Sequence, residues 1–232
     1  MNMFPQEESF PCLEANPELS ELFKGKVLEH LYIHDCFGVG MGELATSFLK
    51  PSGTSPKIIQ DPRGEEPPED TDYVNWTCQY SPGQIADGNI ATAWVEGING
   101  YGIGEVVIIP CLDLKKEIEI WNGYGKSLKL YKYNSRASKI KVSVIRAKMD
   151  GVTQYGTMYK DVKVISSNIV NLKDVNFYQI IKIPNYKVET YFYEAFDKEI
   201  EYAYFLGVEI LDVYKGVKWD DTCISEIRNV VE

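Results

Sequence analysis

Residues 80–105, YSPGQIADGNIATAWVEGINGYGIGE, constrain this 232-residue chain more than any other stretch. The segment turns at Pro82-Gly83, tightens at Asp87-Gly88-Asn89, and runs through Ala91, Thr92 and Ala93 to Trp94 and Val95. Glycine permits positive φ at such turns, while Asp and Asn bond to their own backbone. Asp87, Asn89 and Thr92 place a carboxylate, an amide and a hydroxyl within six positions. Such oxygens can converge on one hard cation, and the large aromatic Trp94 directly after them pins the loop to a core. The same residues equally describe a tight loop with no ligand, since turns use the same side chains. Two further glycine-rich turns lead into the apolar strand at 106–109.

Composition narrows the classes that such a chain can join. The apolar fraction of 44% supports a sizeable core, and 12% aromatics, with sixteen tyrosines, lean towards strands. A net charge of −10 argues against nucleic acid, which needs a positive field, and against anionic membranes. No apolar run approaches the roughly 20 residues of a bilayer span. The N-terminal MNMFPQEESF has no signal-peptide pattern. Five cysteines (Cys12, Cys36, Cys78, Cys111, Cys223) contain no CxxC pair. Disulfides plus a free thiol would suit an exported protein; buried free cysteines are the alternative.

Residues 1–42 read as a separate extension, with residues 43–232 as the main domain. Asn16-Pro17-Glu18 is a helix start, and Leu19, Leu22, Phe23, Val27 and Leu31 continue at near-helical spacing towards Asp35. Gly25 interrupts that pattern. FGVGMG at 37–42 reads as a hinge, and it lacks both the spacing and the preceding strand of a dinucleotide site. The only histidines, His30 and His34, fall on this helix. A structural metal set with Cys12 and Cys36 is chemically conceivable, but ordinary helix residues are the plainer reading. Histidine-dependent hydrolysis would have to be built on this extension, which weakens it.

Beyond the extension, residues 50–75 form a long Pro-, Gly- and acid-rich surface loop. Alternating segments then recur at 116–121, 139–145, 162–165, 177–183, 191–193 and 202–214, the last with an expected break at Gly207. In the first of these, Trp121 lies on the outward, acidic face. Strands so spaced, without helices between them, predict an antiparallel sandwich.

The A-x-DGN-xxT-x-W loop resembles that of discoidin-like domains, also called coagulation factor V/VIII type C or galactose-binding-like domains. The combination of DGN, TAWVEG and GxGIGE is similar, more narrowly, to the NADase-type glycan-binding domain of bacterial surface and secreted proteins. The resemblance extends over ELATSFL (43–49), NGYGKSLKLYKYNSRASKIKV (122–142), DVNFYQIIKI (174–183) and EILDVYKGVKWDDTCISEI (209–227). It implies an all-β jelly-roll β-sandwich, here with a short N-terminal helical appendage, whose end loops hold a glycan.

The resulting expectation is a non-catalytic carbohydrate-binding module, extracellular or at the cell surface, serving adhesion or targeting. Flat aromatics stack on sugar C–H faces and planar polar groups bind hydroxyl pairs. Trp76, Tyr80, Tyr101, Trp121, Tyr124 and Arg136 are the candidates, while Trp94 is assigned to the core. The acidic composition favours neutral or amino sugars over sulfated or sialylated ones. The resemblance also implies a structural Ca2+ at Asp87, Asn89 and Thr92, with Glu226 of the terminal strand returning to the loop. A direct, metal-free clamp by Glu226 is its rival. Two further functions compete with glycan binding. One is a protein-interaction or toxin-translocation module; the other is a glycoside hydrolase using carboxylates such as Glu96 and Glu105.

Overall fold

The computed structural model describes residues 15–34, 42–57 and 72–231. Its strands are β1 (Leu31–His34), β2 (Leu44–Ala45), β3 (Trp94–Val95), β4 (Val106–Ile109), β5 (Ile118–Asn122) and β6 (Arg136–Val152). They continue as β7 (Gly156–Asn171), β8 (Gln179–Ile181), β9 (Thr190–Tyr193), β10 (Lys198–Glu201), β11 (Ala203–Tyr214) and β12 (Cys223–Asn229). Three short helices, α1 (Leu19–Phe23), α2 (Asp72–Thr77) and α3 (Leu128–Tyr133), punctuate them.

One sheet runs β1-β7-β6-β11-β4-β2, the other β3-β12-β5-β8, and all of these pairings are antiparallel. β9 and β10 form a separate hairpin. Alternation along most strands builds the layer between the sheets. Ile140, Val142, Val107, Ile109, Leu206, Val208 and Ile210 of the larger sheet meet Trp94, Ile118, Ile120, Ile224 and Ile227 of the smaller. Each such side chain contributes about 1.5–3 kcal/mol when fully buried. Trp94 sits in this core, and its indole Nε1 donates to the Ser47 carbonyl at 2.9 Å. The all-β sandwich expected from the alternation is what forms.

The larger sheet is apolar on its other face as well. Val106, Ile108, Ile145 and Phe205 there are covered by Leu19 and Leu22 of α1, and Leu31 and Ile33 of the edge strand β1 extend the same apolar cluster. The N-terminal segment is therefore not one long helix: α1 packs on the outer face of the larger sheet, and Leu31–His34 joins that sheet as its edge strand. Helix α1 stops at Phe23, Gly25 adopts φ +87°, and Leu28 bridges Val162. Leu31–His34 then pairs with β7, burying Leu31 and Ile33 while Tyr32 faces out. A left-handed glycine ends the helix, and the period-2 pattern after it favours a strand over the helical spacing. His30 and His34 are consequently not one helical turn apart. Cys12, Cys36 and most of the expected hinge lie outside the described residues.

The expected break at Gly207 is absent. Gly207 pairs with Ile108 on one side and Ser143 on the other, inside a continuous β11. A Cβ there would come within 2.6 Å of the Phe23 ring, so the glycine admits α1 against the sheet. The irregularity in β11 falls later, around Asp212. The expected long loop ends in α2, which carries Trp76.

Candidate functional site

Three connections are knitted together at one end of the sandwich: 96–105 between β3 and β4, 123–135 between β5 and β6, and 215–222 between β11 and β12. Thr222 Oγ1 donates to the Tyr101 carbonyl at 2.8 Å, and Ser135 N donates to the Asp221 carbonyl at 3.0 Å. Val217 N bonds the Lys132 carbonyl at 3.0 Å, while Lys218 N and Trp219 N share that of Tyr133. The rings of Tyr133 and Trp219 meet edge to face at 5.5 Å. Ser127 caps α3 by accepting from Leu130 N at 3.2 Å.

Two carboxyls hold the base of the first loop. Glu96 is fully buried, and its oxygens accept from Thr222 N at 3.1 Å and Ile98 N at 3.0 Å. Burial pushes it up to about 7, with a smaller push from Asp221 and Glu105 against those two donors. Gly102, at φ +66°, lies against it, and a Cβ there would come within 2.4 Å of Glu96 Cγ. Glu105 accepts from Thr46 Oγ1 at 2.7 Å and from Ser47 Oγ. Both acids are thus engaged by donors that tie the loop to the β11–β12 connection and to the segment after β2.

The Asp87 loop lies over the outer face of the smaller sheet. Asp87 Oδ1 accepts from Asn89 N at 2.8 Å, and its Oδ2 from Thr92 Oγ1 at 2.6 Å. Asn89 Oδ1 accepts from Ala91 N at 3.0 Å. Ser225 Oγ donates to the Ile90 carbonyl at 3.1 Å, tying the loop to β12. The neighbouring Glu226 is almost fully buried, and its Oε2 has no hydrogen-bond partner. Burial, then the charge of Asp87, pushes Glu226 up to about 7, while the Gly88 and Asn89 amides and Arg228 pull the other way. Asp87 is raised too, chiefly by burial. A half-buried Asp87 and a buried Glu226 with one orphaned oxygen, beside amide and hydroxyl oxygens, fit a hard cation. Among the described residues no group of three or more His, Cys, Asp or Glu gathers to hold a metal, so further ligands would be neutral oxygens.

The six expected glycan residues do not form one patch. Tyr80 and Tyr124 pack around Ala93, Val95 and the buried thiol of Cys223, and burial pushes Tyr124 up to about 12. Tyr101 lies beneath the ammonium of Lys215, 4.8 Å from its ring centre. Trp121 stands on the outer face of β5, as expected, with Tyr178 edge-on at 5.0 Å and Asn176 Oδ1 accepting from its Nε1 at 3.2 Å. Trp76, on α2, lies 6.5 Å from the Tyr73 ring. Arg136 is buried, with Nε and Nη2 on Asp174 and Nη1 on the carbonyls of Tyr131 and Asn134. All its nitrogens are committed inside the protein, which removes it from the solvent-facing set. Sequence reasoning missed Tyr178, with Arg228 3.9 Å above its ring, and the Tyr133–Trp219 pair. The aromatic run NFYQ was the available signal for Tyr178.

Cys78 and Cys111 are disulfide-bonded, whereas Cys223 is a buried free thiol. No helix among the described residues is long and apolar enough to cross a membrane.

A family model described as the NAD glycohydrolase translocation F5/8 type C domain matches residues 74–229. No curated protein matches the chain. A solved structure of a Ruminococcus gnavus GH29 fucosidase mutant in complex with fucose is similar at 12% identity and a TM-score of 0.30. That likeness covers 82% of this chain, which spans 25% of the other.

Proposed function

The chain belongs to the NAD glycohydrolase translocation F5/8 type C domain family, and from that premise we propose that it is a non-catalytic glycan-binding module of an exported or surface-displayed protein. The observation that carries this reading is the end of the sandwich where three loops are cross-bonded and present Tyr101, Tyr133 and Trp219 at or near the surface. A loop scaffold held by backbone bonds offers a pre-formed polar and aromatic surface, which lowers the ordering cost of binding a flexible saccharide. Trp121 and Tyr178 supply a second aromatic face beside it. The carboxyls expected of a hydrolase, Glu96 and Glu105, are engaged by internal donors, which supports binding without cleavage. The disulfides at Cys78 and Cys111 support an oxidising, extracellular setting.

A Ca2+ ion, if resident, would be held by Asp87, Asn89, Thr92 and Glu226, tying the loop to the last strand. It would offset the repulsion between the half-buried Asp87 and the buried Glu226 carboxylates. It supplies no chemistry to the ligand.

A broad glycan array probed with the intact chain tests the function. Binding of a defined glycan, weakened by Trp121→Ala with the melting temperature nearly unchanged, supports the reading. Hydrolysis of a glycan or of NAD by the purified chain would return the case to an enzyme. The translocation role in the family description favours a second reading, in which the same loops grip a protein partner. Silence on the array together with a saturable complex with one purified protein would establish that alternative.

A further inference from the structure

The charge of this chain is strongly segregated. Between Trp121 and Met149 there is no Asp or Glu, yet there are eight cations: Lys126, Lys129, Lys132, Arg136, Lys139, Lys141, Arg146 and Lys148. The fold neutralises four of them. Arg136 pairs with Asp174, Lys141 with Glu209, Arg146 with Glu189 and Lys148 with Asp161. Lys126, Lys129, Lys132 and Lys139 remain unpaired among the described residues, the first three in or just before α3 and Lys139 within β6. The 215–222 connection then brings Lys215 and Lys218, also unpaired, onto the same end through the Val217–Lys132 and Trp219–Tyr133 backbone bonds.

Three of these ammonium groups are held in place rather than freely waving. Lys129 and Lys218 lie 5.4 and 5.7 Å from the Tyr133 ring centre, and Lys218 is also 4.2 Å from that of Trp219. Lys215 is fixed over Tyr101. Cation–π contacts of this kind orient a charge without neutralising it. The acids nearby do not cancel it either. Asp174 is spent on Arg136, and Glu96 is buried. The half-buried Asp221 and the exposed Asp220 are the acids on the rim, two against five lysines.

We propose that this end binds an acidic polysaccharide, through carboxylate or sulfate groups spaced along its chain that meet Lys126, Lys129, Lys132, Lys215 and Lys218. The inference rests on the glycan-binding reading and names its ligand class. It opposes the expectation of a neutral sugar drawn from the overall charge of −10, because a ligand meets the local field and not the net charge. Cations spread along a helix turn and an adjoining loop suit a linear polyanion better than a single anionic group. Lys129 and Lys132 alone are separated by about 4.5 Å along the helix axis.

The test measures binding of the intact chain to immobilised heparin (sulfated), alginate (carboxylated) and neutral dextran over a range of salt. Wild type should bind the two polyanions, with affinity falling as salt screens the charges, and should ignore dextran. The triple variant K129E/K132E/K218E should lose about tenfold or more in affinity. The control pair K182E/K187E, beyond the opposite end of β5, should bind like wild type, and melting temperatures should confirm that both variants fold. Equal losses in both variants would indicate ion exchange and overturn the proposal. Binding to neutral glycans alone would overturn it while leaving the glycan reading intact. No binding to any saccharide would remove both. Preferential binding to phosphatidylserine vesicles would replace the polysaccharide with a membrane.

Discussion

Arg136 and Asp174 form a two-point ion pair, Nε to Oδ1 at 2.8 Å and Nη2 to Oδ2 at 2.7 Å, that locks the start of β6 to the connection between β7 and β8. Tyr131 Oη donates to the same Oδ1 at 2.7 Å, so α3 is fixed by the same carboxylate. The guanidinium beside it holds Asp174 below the usual carboxylate range. The scaffold of the lysine-bearing helix thus depends on one acid–base pair.

Arg136→Ala should lower stability by about 2–3 kcal/mol, less than a fully buried pair because the Asp174 side chain is 40% exposed. Arg136→Lys should recover little of this, since an ammonium cannot match the two-point geometry. Urea unfolding of both variants checks the difference. Equal, near-wild-type midpoints would show that the pair is ornamental to the fold.

Stability should fall as pH rises through mildly acidic values. Glu96 and Glu226 are raised from 4.5 to about 7 in the folded chain, so the native state keeps protons that the unfolded chain releases. Their contribution is greatest below about 4.5, declines from there to about 7, and is flat above, by roughly 1–3 kcal/mol per group. Other carboxylates, such as Asp174, work in the opposite sense at lower pH. Thermal melts in chelator between pH 5 and 7.5 should therefore show a decline that Glu226→Gln reduces.

Calcium should raise the melting temperature of chelator-treated protein. At about 100 times its dissociation constant a ligand bound only to the folded state adds about 2.7 kcal/mol. Asp87→Ala and Glu226→Gln should each abolish the increment. An unchanged wild-type melting curve would assign Glu226 to a metal-free clamp on the Gly88 and Asn89 amides.

Leu22→Ala should cost about 2–5 kcal/mol, because this α1 side chain is fully buried against the outer face of the larger sheet. Denaturant unfolding reads the loss directly. A neutral result would make the N-terminal segment a loose appendage.

Turn chemistry and residue alternation, both short-range, are legible in the chain before it folds. The DGN turn, the Trp94 anchor, the apolar run Val106–Ile109 and the period-2 pattern of β5 and β11 encode the sandwich and its central loop, because turn geometry and alternation act over a few residues. The same local logic misread residues 24–34 as helix, where Gly25 and the Leu31–Ile33 alternation outweigh the wider spacing. It also misread Gly207 as a break, since its purpose is a contact with Phe23 from a distant segment. Which charges survive was settled by long-range packing. Sheet register set Glu226 opposite Trp121, β6 delivered Arg136 to Asp174, and the β11–β12 connection laid Lys215 and Lys218 beside α3. Each of these depends on pairing between segments far apart in the chain, and no local pattern specifies which cation finds an acid and which is left facing solvent.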